Sequence, residues 1–290
     1  MTRLSERIYR TEAIILRRSE LGEADRILTL FTPQWGKRRA IAKGIRRPAS
    51  KLRGHLELFT CAKLLLARGR TLDVITGAET AEAFHGLRDE DPAALERIGI
   101  AYYLVELLDQ FTEEEQENRA LWDLISASLR ALSDGVEPKV VARHYELRLL
   151  GYLGYQPNLD ECMGCDEPLR PGENWYSADQ GGVLCPECRH LDPTAEPISV
   201  NALKLLRLLA RETPAPSPPA SASLATEIEA ILRRAIRQIA DREITSLVVL
   251  RSMQGERRQR STYRVHSKRG RTLFAALRMT CAGRCLSPSF

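Results

Sequence analysis

Four of the seven cysteines form the most specific chemical pattern in this chain: Cys162-x2-Cys165, nineteen intervening residues, then Cys185-x2-Cys188. A Cys-x2-Cys pair can turn both sulfurs toward one tetrahedral ion, and the intervening loop brings two such knuckles together. The spacing lies in the zinc-ribbon range, and Gly164 and Pro186 suit tight knuckle turns. Disulfides are disfavoured in a cytoplasmic chain, and a redox Cys-x-x-Cys ordinarily stands alone. The reading is one structural Zn2+ on Cys162, Cys165, Cys185 and Cys188, because four thiolates leave no coordination position for a reacting water. His190 is read as a bystander. Cys61 reads as a small buried apolar residue, and Cys281 and Cys285 as free thiols.

The second pattern is electrostatic. Lys37, Arg38, Arg39, Lys43, Arg46, Arg47, Lys51 and Arg53 fall within seventeen residues with no acid among them. Strand alternation over 37–43 sends Arg38 and Ala40 to one face and Lys37, Arg39 and Ile41 to the other. The stretch 44–54, punctuated by Gly44, Pro48 and Gly54, reads as a loop that projects its cations independently of the pleat. Such a loop contacts phosphates without reading bases, which implies weak sequence preference and strong salt dependence. Trp35 either stacks on bases or covers a barrel edge, and both readings stay open; Phe31 reads as core.

These cations belong to a wider asymmetry. Residues 1–80 carry seventeen Lys and Arg against eight Asp and Glu, and residues 251–290 carry ten against one. Residues 81–250 carry sixteen against twenty-nine, so a formal net charge of +5 hides two basic ends around an acidic middle. That pattern favours a polyanion partner for the ends. No Gly-rich phosphate loop, G-x-S-x-G elbow or H-E-x-x-H is present. The five histidines are dispersed, and the acidic run Glu113, Glu114, Glu115 and Glu117 reads as a solvated face between helices. The sequence offers no reason to propose bond-making chemistry, and the expectation is a protein that is not an enzyme.

The elements that must position these residues are legible as changes of period. Tyr9–Arg18, Ala24–Thr32, Lys37–Lys43, Phe59–Ala67 and Thr71–Ala78 are short apolar or alternating runs separated by Gly and Pro, which predicts five strands in a small closed barrel. From about residue 81 the spacing turns helical: Leu95, Ile98, Tyr102, Val105 and Leu108, then Leu121 to Leu132, then Val140 to Leu150. Tyr102 and Tyr103 read as core and rim of the first helix. A small module over 158–193 interrupts the helical pattern. Helical spacing returns at Leu203, Leu206 and Leu209, and again from Ile228 to Ile239 beyond a Pro-rich linker over 213–223. The fold class expected is α+β and multidomain: a barrel over 1–80, then a helical domain over 81–252 carrying a four-cysteine zinc-ribbon-like module. With 43% hydrophobic and 28% charged residues, wholesale disorder is excluded. No run of apolar residues is long enough to span a bilayer, and no secretory signal opens the chain, so a soluble cytoplasmic protein is expected.

In combination these residues resemble a known family. Glu12 to Arg26, with its Gly22-Glu23-x-Asp25-Arg26 turn, is similar to the first hairpin of the bacterial RecO recombination mediators. Leu30 to Lys37 and Lys43 to Gly54 resemble that family's next strands and basic loop, Arg242 to Leu247 resembles its closing segment, and the four cysteines sit where zinc-containing members carry theirs. The resemblance covers about residues 8–252. It implies an OB-fold barrel and a non-enzymatic role in the cytoplasm at the nucleoid: binding single- and double-stranded DNA and annealing complementary strands. It further implies partnership with RecR in loading RecA onto DNA coated by single-strand-binding protein (SSB), with contact to SSB through its acidic C-terminal tail. The rival reading is a zinc-ribbon nucleic-acid-binding adaptor in transcription or translation; a third, a metalloenzyme, needs an open metal coordination position. Residues 253–290 run beyond the family's usual end as a basic tail expected to be disordered. This tail is either a DNA-binding arm or an extension from an altered reading frame, and no role is assigned to it.

Overall fold

The computed structural model of the chain describes residues 7–88, 92–211 and 221–240. The basic tail 253–290, the closing segment 242–247 and linker residues 213–220 lie outside the described residues.

Five strands close a barrel in the order β1-β2-β3-β5-β4, with β1 at Ile8–Leu21, β2 at Asp25–Thr32, β3 at Gly36–Ala42, β4 at Cys61–Ala67 and β5 at Asp73–Glu82. β1 lies antiparallel to β4 from Ile8 opposite Ala67 to Ile14 opposite Cys61, while β3 and β5 run parallel through Ala40 opposite Asp73. This closure is the OB-fold architecture. Alternation puts Tyr9, Thr11 and Ala13 inward, and then Ala13 to Leu16 are all buried. Leu28, Leu30, Ala40, Ala42, Leu64, Leu66 and Ile75 fill the interior. Cys61 is a buried strand residue, as a small apolar side chain should be.

The described residues form two compact units. One holds 7–30 and 39–81; the other holds 31–38 together with 82–88, 92–211 and 221–240. The second unit is built on α1 (Pro92–Phe111), α2 (Arg119–Ser133), α3 (Pro138–Tyr152), α4 (Val200–Arg211) and α5 (Ala222–Ile239). Helix starts follow local chemistry. Asn118 accepts from the Leu121 N–H to cap α2, Pro138 stands at the first turn of α3, and Ser221 accepts from the Leu224 N–H to cap α5. Residues 221–223, the end of the expected linker, are thus the cap and first turn of α5.

α3 packs against α1, α2, α4 and α5, burying Val141, Ala142, Tyr145, Leu149 and Leu150. It also buries Glu146 completely; the Tyr103 hydroxyl donates to Glu146 Oε1 at 2.6 Å, and Arg143 pairs with the same oxygen at 2.9 Å. Burial raises the Glu146 carboxyl above its ordinary range against the opposing pull of Arg143 and Tyr103.

The interrupting module is a four-stranded sheet in the order β6-β8-β7-β9, with β6 at Asn158–Cys162, β7 at Asn174–Ser177, β8 at Gly182–Leu184 and β9 at Glu196–Ile198. Arg207 of α4 fastens it, donating to the Leu159 carbonyl at 2.6 and 2.8 Å and pairing with Asp160 at 3.0 Å. No helix among the described residues is long and apolar enough to cross a membrane.

Candidate metal centre and nucleic-acid interface

β6 ends on Cys162, and the turn that follows carries Cys165; β8 ends one residue before Cys185, and the 3-10 turn Pro186–Leu191 carries Cys188. The sheet pairs β6 with β8, so the two knuckles lie side by side. All four sulfurs fall within 4.8 Å of one another, with Cys165 and Cys185 sulfurs 3.9 Å apart. Tetrahedral zinc with bonds of about 2.3 Å requires sulfur separations of about 3.8 Å, so the donor set fits such an ion.

The surroundings of the cluster fit it too. Burial opposes charge on the Cys162 thiol, and the N–H groups of Cys185 (3.3 Å) and Gly164 (3.4 Å), with that of Cys165, outweigh it and bring the thiol down to about 6. Burial and the three neighbouring thiols push Cys188 up to about 12. Four thiols this close cannot all ionise unless a cation stands among them. Gly164 is required by packing: a Cβ there would stand 2.5 Å from Leu191 Cδ1 and 2.9 Å from the Cys188 sulfur.

The knuckle turn is held from behind by Asp192, which accepts from Ser177 Oγ at 2.6 Å and from the Thr194 N–H and hydroxyl at 2.8 and 2.7 Å. Those donors hold its carboxyl below the usual range, Ser177 contributing most. His190 stands outside the sulfur cluster and donates from Nδ1 to the Glu187 carbonyl at 2.8 Å. The four cysteines can therefore hold a metal ion, in an arrangement compatible with structural zinc.

The predicted cations divide between the two units. In the barrel unit, Arg39, Lys43, Arg46, Arg47, Lys51 and Arg53 are all exposed. Their loop is anchored at its start by the β1–β2 turn. Asp25 Oδ1 accepts from the Gly44 N–H at 2.7 Å, the Ala24 carbonyl accepts from the Arg46 N–H at 3.0 Å, and Ile45 is buried. Gly44 takes the left-handed conformation (φ 64°) that this reversal requires. Arg46 also pairs with Glu20 at 3.1 Å. Backbone bonds from Arg47 to Gly44 and from Ser50 to Arg47 make the rest a series of tight turns with its cations in solvent. Such a surface can neutralise several phosphates without reading a base.

In the helical unit, Lys37 and Arg38 are only 13% and 15% exposed. Lys37 Nζ donates to the Asp109 carbonyl at 2.6 Å and pairs with its carboxylate at 3.1 Å, and Arg38 pairs with Glu115 at 3.3 Å. Trp35 is half-buried, its backbone N–H donating to Thr32 Oγ1 at 3.1 Å; Phe31 is fully buried, as a core residue. Sequence reasoning missed the carboxylate partners of Lys37 and Arg38. They lie more than seventy positions away, and the only available signal was the acidic run itself.

The chain matches the family model described as recombination protein O N terminal over residues 6–84 and that described as recombination protein O C terminal over residues 92–247. It is 44% identical over 249 residues to the DNA repair protein RecO of Roseiflexus sp. (strain RS-1), covering 85% of this chain and 86% of that protein. It is 37% identical over 248 residues to the DNA repair protein RecO of Dehalococcoides mccartyi (strain ATCC BAA-2266 / KCTC 15142 / 195), covering 84% of this chain and 96% of that one. The DNA repair protein RecO of Desulforamulus reducens is 33% identical over 240 residues, at 82% and 92% coverage.

Proposed function

The chain belongs to the recombination protein O family, whose place is in DNA repair and recombination, and from that premise we propose that it is a non-enzymatic mediator that binds single- and double-stranded DNA and anneals complementary strands. The observation that carries the reading is the loop 43–53, five cations exposed on a turn-rich segment with no acid among them. Arg39 on β3 adds a sixth. Neutralising the backbones of two strands lowers their mutual repulsion and leaves the bases free to pair, so annealing needs no reacting group from the protein.

The finer reading assigns one structural Zn2+ to Cys162, Cys165, Cys185 and Cys188, where its chemistry is to hold two knuckles in one shape. RecR and SSB are the proposed protein partners, and the role is to help RecA load on SSB-coated DNA in the cytoplasm at the nucleoid. For the acidic SSB tail the reading proposes the cleft between α3, α4 and α5, walled by Val140, Leu205, Leu209 and Ile228 and flanked by Lys139, Arg143 and the acid Glu229. An SSB C-terminal peptide should bind wild type and lose affinity to Lys139→Glu.

The test of the main reading is annealing of complementary labelled oligonucleotides at several salt concentrations, with and without SSB. Wild type should accelerate annealing, less so as salt rises, and Lys43→Ala/Arg46→Ala/Arg47→Ala should be slower. DNA binding without acceleration of annealing would instead favour the adaptor reading.

A further inference from the structure

The acidic run that the sequence leaves as a solvated face is fastened to the start of β3. Glu114 bridges Lys37 in parallel, the Glu115 N–H donates to the Lys37 carbonyl at 2.9 Å, and Glu115 pairs with Arg38. The fit leaves no room for a side chain at Gly36 (φ 59°), where a Cβ would stand 1.8 Å from the Gln116 carbonyl oxygen. Glu115 itself holds a left-handed backbone at φ 64°, a conformation that a non-glycine residue adopts at a cost. That geometry accompanies a carboxylate held against Arg38 and a main-chain bond to Lys37.

The two pairs differ in kind. Asp109 offers Lys37 both a carboxylate and a carbonyl, and its side chain is 28% exposed; Glu115 is 70% exposed and meets Arg38 through Oε1. In the second pair the carboxylate end is open to solvent, where the interaction is weakened and screened by salt. A phosphate presents the same charge with more acceptor oxygens to a guanidinium. We propose that the segment 113–117 is a built-in competitor of the nucleic-acid backbone: Glu115 occupies Arg38 in the free protein and yields it to a phosphate, while Lys37 stays as the tether that keeps the segment in place. The inference rests on the nucleic-acid reading above, and it adds a cation that counts only in the bound state.

Affinity for a single-stranded oligonucleotide, measured against salt, tests it in full-length protein. Glu115→Gln keeps the main-chain bond to Lys37 and removes the competing charge. It should bind about twofold to fivefold tighter at low salt, with a log–log salt slope steeper by about 0.7. In an Arg38→Gln background the same substitution should change neither quantity. Identical binding by wild type and Glu115→Gln, with wild type binding well, overturns the competitor and leaves the nucleic-acid reading standing. A gain that persists in the Arg38→Gln background also overturns it, since that gain would come from net charge alone. Absence of wild-type binding at low salt defeats the nucleic-acid reading itself. Thermal melts of each variant establish that all are folded.

Discussion

The cysteine module and the basic loop are each a dense run of one kind of chemistry, and they fold in opposite senses. Four sulfurs from two knuckles converge to within 4.8 Å, backed by N–H donors and a glycine with no room for a methyl group. The cations of 43–53 stand exposed along a chain of turns, and the sites that fix the loop, Asp25 and Ala24, hold its backbone and leave its charges in solvent. Convergence specifies a discrete ligand and makes every member indispensable. A row of separately exposed cations suits a polymer of phosphates, in which any one cation can be lost at modest cost.

The sharpest way to break that contrast is to remove one member of each set. Cys162→Ser should abolish metal retention and unfold the sheet of the module, since structural zinc contributes about 10 to 16 kcal/mol of apparent binding energy in small domains. Metal content and limited proteolysis read the effect, and unchanged stoichiometry would contradict it. Gly164→Ala should act on the same centre more gently. Its Cβ meets Leu191 and Cys188, so the knuckle must shift, and metal affinity should fall about 10- to 100-fold in a chelator competition. A smaller effect is expected at Asp25→Ala, which deprives the Gly44 N–H of its acceptor and should lower the melting stability by about 1 kcal/mol. The least effect belongs to single cations. Arg47→Ala or Lys51→Ala should each weaken oligonucleotide binding a few-fold with a slope shallower by about 0.7, the two adding when combined. An all-or-none loss from either one would erase the distinction between the two regions.

Much of this was written in local patterns. The five strands announced themselves by alternation between Gly and Pro, and the cysteine spacing announced its own geometry. What stayed hidden was long-range or symmetric. α1 shows why: of the spaced set Leu95, Ile98, Tyr102, Val105 and Leu108, the first three are only half-buried and the last two are buried, while Ala94, Ile100, Ala101, Tyr103, Leu104 and Leu107 are buried as well; Tyr103, read as rim, is core. A helix apolar on most of its circumference gives periodicity no single face to select. The strands of the cysteine module, three to five residues long, are too short to alternate visibly. Within the basic run, no local feature separates Lys37 and Arg38 from Lys43 and Arg47. The separation comes from Asp109 and Glu115, far away in sequence. The bond from Gly44 to Asp25 likewise joins two motifs whose residues were recognisable and whose contact was not.

The central claim is that a set of exposed cations holds a phosphate backbone, and its most direct test is the salt dependence of single-stranded DNA affinity for the wild-type protein. Engagement of Arg39, Lys43, Arg46, Arg47, Lys51 and Arg53 together predicts a log–log slope of about −4, falling to about −2 in Lys43→Ala/Arg46→Ala/Arg47→Ala. A slope near zero, or one that the triple substitution leaves unchanged, would contradict the account.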